Sequence, residues 1–244
     1  MLIRQAVVFA GGRGSRLMPY TKDKPKPLVK VNNQPFFDYI LYELKKSNIN
    51  KVLFLTGYKG QSLKSYYKNN SDFNFKFSHL SPKAKPGKRL LNSLKLLDNY
   101  FLLIYSDNYW KINISKIIQN LKQKKMKNSM TVFKNINGTG EYGFKNNILY
   151  NKEKIIINYD KTKKNKLLNG LDIGFFILNK RDIVNLNINK YNKFEKIINK
   201  LIKEEKITAF TTQSQYYYMT NKKSLKNFEN LVLTKKIKFI SNAR

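Results

Sequence analysis

The sequence predicts an α/β fold with a mixed, mostly parallel central sheet flanked by helices. Two observations predict it. Apolar runs of strand length alternate along the chain with segments whose apolar residues recur at helical spacing. The first run leads directly into a Gly-rich loop, and in open α/β sheets ligand loops follow strand ends in this way. Taken in order, Gln5 to Ala10 is a buried strand, and Phe36, Phe37, Ile40, Leu41 and Leu44 share one helical face. Lys51 to Thr56 is a strand stopped at Gly57, Gly60 to Tyr67 a helix, and Phe73 to Leu80 an alternating strand. Gly87 opens a helical stretch that runs from Arg89 to Leu97, and Tyr100 to Tyr105 is a central strand. Ile114 to Gln123 reads as a helix and Met130 to Phe133 as a strand. From Glu141 to Tyr159 the pattern shifts to short strands with Gly and Asn turns. Asp172 to Leu178 is a strand, Lys193 to Glu204 a helix, and Lys222 to Leu231 a last helix. No repeat or long linker interrupts this order, so one domain over 1–234 and a tail over 235–244 are expected.

Bulk properties narrow the classes. With 244 residues, 41% of them hydrophobic, and 16 Tyr and 16 Phe, the chain can bury a sizeable core. No apolar run reaches the ~20 residues of a membrane span. Met1-Leu2-Ile3-Arg4 carries no secretory-signal pattern. Cys is absent, which excludes disulfides and thiolate metal sites. A cytoplasmic protein is therefore expected. The net charge of +33 is Lys spread over the whole chain and accompanied by abundant Asn and Ile, which reads as compositional bias. Lys122 to Lys127 and Lys161 to Lys166 read as solvated faces and loops. A specific nucleic-acid partner is supported by charge alone. The same charge would draw anionic nucleotides and give salt-sensitive adsorption.

Chemistry concentrates in Val7-Val8-Phe9-Ala10-Gly11-Gly12-Arg13-Gly14-Ser15-Arg16-Leu17 and in Lys24-Pro25-Lys26-Pro27-Leu28. Glycines let backbone N–H groups approach a phosphate, because no Cβ blocks them. Arginine adds a forked, permanent charge suited to phosphate oxygens. Two of only six Arg, against 42 Lys, fall in this loop. The flanking prolines hold Lys26 on a stiff turn. The spacing matches neither the dinucleotide fingerprint nor the P-loop. Carboxylates are scarce, at eight Asp and seven Glu. Asp107 is the best candidate for Mg²⁺, since it follows the strand Phe101-Leu102-Leu103-Ile104-Tyr105 within Tyr105-Ser106-Asp107-Asn108-Tyr109-Trp110. It also suits a helix N-cap, and the two roles are compatible. His79, the sole His, reads as an ordinary strand residue.

Residues 7–35 resemble the signature of the sugar-1-phosphate nucleotidylyltransferases: G-G-x-G-[ST]-R-L from Gly11 to Leu17, then Pro19, P-K-P-[LM] from Pro25 to Leu28, and Pro35. The resemblance implies a Rossmann-like nucleotidyltransferase fold and an Mg²⁺-dependent transfer from an NTP to a sugar 1-phosphate. It implies nucleotide contacts at Ala10, Gly11, Gly12, Arg13, Gly14, Ser15, Gly87 and Ser106. It makes Arg16, Lys26 and Asp107 catalytic, with Asp107 the metal ligand. Asp160-Lys161 resembles the family's E-K pair at the sugar phosphate, although Asp is shorter. Glu141, Gly143 (of Tyr142-Gly143) and Asp172 (of Asn169-Gly170-Leu171-Asp172) match sugar-pocket positions. Two departures stand out. Lys88 and Arg89 replace smaller residues near the nucleobase position, and Tyr218 stands at a second magnesium Asp, with Thr220 at the following Gly.

Leu55-Thr56-Gly57-Tyr58, the 105–110 run, Tyr159-Asp160-Lys161-Thr162, 168–174 and 215–225 resemble the D-glycero-D-manno-heptose 1-phosphate guanylyltransferase-like group more narrowly. That implies GTP as donor and a role in supplying NDP-sugar for polysaccharide such as lipopolysaccharide. The tail from Lys235 echoes the opening of a phosphatase sometimes fused behind such modules, but Ser241 and Ala243 occupy its two Asp positions, so no phosphatase activity is expected. The missing second acid also admits an alternative: a nucleotide- or sugar-phosphate-binding protein of this fold with weakened catalysis.

Overall fold

The computed structural model describes residues 1–234 and 237–239, and in it the alternating pattern becomes a mixed α/β architecture. In chain order the elements are β1 (Gln5–Ala10), β2 (Lys30–Val31), β3 (Gln34–Pro35), α1 (Phe36–Lys46), β4 (Lys51–Thr56), α2 (Gly60–Tyr67), β5 (Asn74–His79), α3 (Pro86–Asn92), β6 (Tyr100–Tyr105) and β7 (Asn108–Tyr109). They continue with α4 (Ile114–Gln123), β8 (Asn128–Phe133), β9 (Ile148–Tyr150), β10 (Ile156–Tyr159), β11 (Leu171–Asn179), α5 (Phe194–Lys203), β12 (Ile207–Thr212), β13 (Tyr217–Tyr218) and α6 (Lys222–Leu233). Seven strands form one sheet in the order β12-β8-β11-β6-β1-β4-β5. Among the described residues no helix is long and apolar enough to cross a membrane.

Contacts gather in two units, one built from Arg4–Ala84, Ile104–Ile112 and the chain from Tyr217, the other from Lys85–Leu103 and Asn113–Tyr216 with the first three residues. In the first, β1, β4 and β5 are parallel, with Ala10 opposite Thr56 and Thr56 opposite His79. The three strands therefore end level. Ala6, Val7, Val8 and Val52 to Leu55 are buried, the near-continuous apolar run of a strand covered on both faces. All five apolar residues expected on one face of α1 are buried. So are Asp38, Tyr39 and Glu43, which the periodicity did not mark. Aromatic rings fill the core here: Phe54 lies 4.8 Å from Phe37 and 5.6 Å from Tyr67, centroid to centroid.

In the second unit β8 pairs antiparallel with β11 and parallel with β12, and β9 and β10 form a hairpin. The helix expected from Arg89 to Leu97 instead begins at Pro86, ends at Asn92 and is followed by a short 3-10 turn, Leu94–Leu96. Pro at the first helical position explains the earlier start, since its fixed φ suits the helix and its missing N–H is not needed there. β12 was not read from sequence, although its Ile207, Thr208, Thr211 and Thr212 are β-branched. The two-residue strands β7 and β13 are too short to show any period. Of the tail, Ile237 is buried and Phe239 lies 5.4 Å from Tyr39, ring to ring. Ser241 and Ala243, on which the phosphatase reading of the tail rests, lie outside the described residues.

Candidate active site

The loop after β1 is held by its own backbone. Gly11 carbonyl accepts the Tyr58 N–H at 3.2 Å, and Gly14 carbonyl accepts the Leu17 N–H at 2.8 Å and the Thr21 hydroxyl at 3.0 Å. Gly14 has φ +65°, where a Cβ is strained, and an added Cβ would meet Thr21 Cγ2 at 3.0 Å and Lys26 Cβ at 3.6 Å. Gly12 is exposed, with open space where a Cβ would stand. Ser15–Leu17 forms one 3-10 turn that buries Leu17 and leaves Ser15 and Arg16 exposed, as Arg13 is before them. The Tyr58 hydroxyl bonds Lys22 carbonyl at 2.6 Å and Thr21 carbonyl at 3.2 Å, pinning the next stretch of loop.

Lys26 opens the turn Lys26–Leu28, after Pro25 in extended conformation. Its Nζ lies 2.6 Å from Asp107 Oδ2, with the two side chains 12% and 26% exposed. Both groups thus remain reachable from solvent while neutralising each other. Asp107 follows β6 as expected, and its carbonyl accepts the Met219 N–H at 2.8 Å. Ser106 is buried beside it in sequence. Tyr218 pairs with Asn108, so the position of the missing acid lies on the strand next to the Asp107 turn. Thr220 takes no left-handed backbone, although it replaces a Gly of the family pattern. The family resemblance assigns Lys26 and Asp107 to one site; their direct ion pair, between residues 81 apart, is what the structure adds.

The remaining candidates belong to the second unit. Gly87 is buried in α3, where an added Cβ would meet Tyr191 carbonyl at 2.3 Å and Lys193 backbone at 2.7 Å. A packing reason thus accounts for the glycine. Lys88 is exposed and its N–H bonds Asn192 carbonyl at 2.9 Å. Arg89 is buried, and desolvation lowers its pKa. Glu141 N–H donates to the Tyr216 hydroxyl at 3.0 Å, and Gly143, at φ +62°, has open space at its Cβ position. Asp160 accepts from Thr162 N–H at 2.7 Å and Thr162 hydroxyl at 2.6 Å, bonds that lower its pKa. Lys161 is exposed, with Nζ 5.6 Å from the Tyr159 ring centroid and 3.9 Å from Glu195. Asp172 is buried, accepting the Tyr159 hydroxyl at 2.8 Å and Gly174 N–H at 2.7 Å. Those bonds give it a structural task that the sequence did not reveal. In the first unit, His79 Nδ1 lies 3.2 Å from Thr56 Oγ1 at the strand ends.

Among the described residues no three His, Cys, Asp or Glu side chains gather. A metal held by three or more such side chains therefore does not fit the described residues. Mg²⁺ does fit, because it commonly takes one or two carboxylates plus substrate phosphates and water. Asp107, partly exposed at a strand end beside a phosphate-type loop, offers that one carboxylate.

A family model described as nucleotidyl transferase matches residues 5–224. The chain is similar to a D-glycero-alpha-D-manno-heptose 1-phosphate guanylyltransferase of Campylobacter jejuni, 27% identical over 84% of this chain and 89% of that one. It is also similar to a probable glucose-1-phosphate cytidylyltransferase of Bacillus subtilis, 24% identical over 71% and 74% of the two chains. Among solved structures, a putative glucose-1-phosphate thymidylyltransferase from Bacillus anthracis, in complex with a sucrose, shares the fold with a TM-score of 0.81, at 19% identity over 97% of each chain.

Proposed function

Since the chain belongs to the nucleotidyl transferase family, we propose that it is a sugar-1-phosphate nucleotidylyltransferase. The observation that carries this reading is the meeting of Lys26 and Asp107 beside the loop of Gly11, Gly12 and Gly14. A phosphate oxygen of the sugar 1-phosphate attacks the α-phosphorus of an NTP in line. The bond to the β-phosphate oxygen breaks, and pyrophosphate leaves. The attacking group is already anionic near neutral pH, so no general base is required. Catalysis then rests on positioning and charge neutralisation.

In this reading the loop N–H groups cradle the triphosphate. Arg16 neutralises the leaving β- and γ-phosphates with Arg13 beside it, and Lys26 exchanges Asp107 for phosphate oxygens at the reacting centre. Asp107 is the residue that would hold Mg²⁺, which when bound supplies charge neutralisation on the triphosphate. By the same resemblance Asp160 and Lys161 are the proposed sugar-phosphate contacts. GTP as donor, a D-glycero-D-manno-heptose 1-phosphate as acceptor and a cytoplasmic location are part of the proposal. The guanylyltransferase relative, alignable over most of both chains, supports the donor and the acceptor. The cytidylyltransferase relative supports the reaction class with another base.

The test is a panel of NTPs and sugar 1-phosphates with pyrophosphate release as readout. Release only when NTP, sugar 1-phosphate and Mg²⁺ are all present is expected, with GTP fastest. A preference for CTP, UTP or dTTP rejects the guanylyl assignment and leaves the reaction class intact. No turnover across the panel favours a binding protein without catalysis, the reading to which Tyr218 at the second acid position lends support.

A further inference from the structure

Helix α1 touches both arms of the Lys26–Asp107 pair. At its N-terminus the Phe36 N–H donates to Val29 carbonyl at 2.9 Å, directly after the turn that carries Lys26. One turn on, the Tyr39 hydroxyl donates to Val31 carbonyl at 2.9 Å. Near its C-terminus Glu43 Oε1 accepts the Tyr109 hydroxyl at 2.8 Å. Tyr109 lies in β7, two residues beyond Asp107, and it is 1% exposed while Glu43 is 3% exposed. Lys46, one turn further, puts Nζ 3.7 Å from the other Glu43 oxygen. A buried carboxylate is costly unless it is paired and hydrogen-bonded. Helix packing alone would be served better by Leu at position 43 than by Glu.

We propose that α1 is the spacer that holds Lys26 and Asp107 at contact distance, and that Glu43 is a positioning residue acting on Asp107 through Tyr109. A helix of eleven residues is stiff along its axis. Anchors at its two ends therefore fix how far the Lys26 turn stands from the Asp107 turn. Asp107 is clamped from the other side by Met219 N–H on its carbonyl and by the β7–β13 pairing. Loss of the Glu43–Tyr109 bond leaves that second clamp in place, so Asp107 loses aim rather than its fold.

This inference rests on the nucleotidyl-transfer reading of the site. Its test uses Tyr109→Phe, Glu43→Gln and the double variant Glu43→Met with Tyr109→Phe. The double variant removes both polar partners, so no buried charge is left to unfold the protein. Tyr109→Phe and the double variant should lose about tenfold in kcat and need several-fold more Mg²⁺ for half-maximal rate, with KM for the nucleotide within twofold. Glu43→Gln keeps an acceptor and should stay within twofold of wild type throughout. Hydrogen–deuterium exchange of the 104–112 segment should rise in Tyr109→Phe and the double variant and not in Glu43→Gln. Wild-type kcat and wild-type exchange in a double variant of unchanged melting temperature overturn the proposal. If wild type itself turns nothing over, nucleotidyl transfer fails while the exchange of 104–112 still decides whether Glu43 positions Asp107.

Discussion

Lys26 and Asp107 share an ion pair whose side chains keep partial contact with solvent. In the proposed mechanism, triphosphate oxygens replace Asp107 at Lys26. Lys26→Ala and Arg16→Ala should each lower kcat/KM by roughly 10²-fold, the scale of losing a charge-stabilising donor. Arg16→Ala should melt with wild type because its side chain is exposed on a loop, and Lys26→Ala should stay folded while melting slightly lower, since it gives up the ion pair to Asp107. Asp107→Asn should abolish magnesium-dependent turnover, and Tyr218→Asp should lower the Mg²⁺ needed for half-maximal rate; an unchanged magnesium dependence in Asp107→Asn would remove Asp107 from the metal site. A second carboxylate matters for stability and not for chemistry. Asp38 is fully buried at the start of α1, and desolvation pushes its pKa to about 7 despite hydrogen bonds from Tyr67 and Tyr66 that lower it. The folded protein therefore holds this proton more tightly than the unfolded chain does. Its contribution to stability is full below about pH 4 and falls by about 1.4 kcal/mol for each pH unit up to about pH 7. Asp38→Asn cannot titrate, so its urea midpoint should fall less than that of wild type between pH 5 and 8. Parallel pH profiles for the two proteins would count against this assignment.

Strands β1, β4 and β5 and the helix face of α1 were legible because their apolar runs and 3.6-residue spacing are long enough to show a period. The α3 segment was legible as helix but not in its bounds. The resemblance gives its Gly87 a nucleotide contact, and the structure adds a packing reason for the glycine: the close approach of the 191–193 backbone leaves no room for a side chain. Backbone cannot rotate away as a side-chain end can. Gly87→Ala should therefore destabilise by about 1–3 kcal/mol, the usual cost of overpacking. Differential scanning calorimetry measures this directly, and a melting temperature equal to that of wild type would mean that the 191–193 segment yields freely. By contrast Gly12 faces open space, so Gly12→Ala should melt normally, and any loss of activity would report on phosphate access alone.

Across the whole molecule, a net charge of +33 would attract the anionic substrates proposed for the site. Electrostatic attraction acts on encounter and is screened beyond about 10 Å at 0.1 M salt. Raising the salt should thus lower kcat/KM for the NTP several-fold while kcat changes little. A fall confined to kcat would place the salt effect on the chemical step. The sequence alone was enough for the order of the longer elements except β12, for most of their bounds and for the Gly-rich loop after β1, since each depends on neighbours within about ten residues. It was also enough for Asp107 as the acid that follows a central strand, and for Tyr218 as the departure. Only the tertiary structure decided which distant groups meet. Lys26 finds Asp107, Tyr109 finds Glu43, and Gly87 finds the backbone before α5. It also turned Asp172 into a buried acceptor for Tyr159 and Gly174. Hydrophobic period and turn chemistry are local quantities, written along the chain. Pairing between groups tens of residues apart depends on strand order and helix placement, which no local pattern encodes.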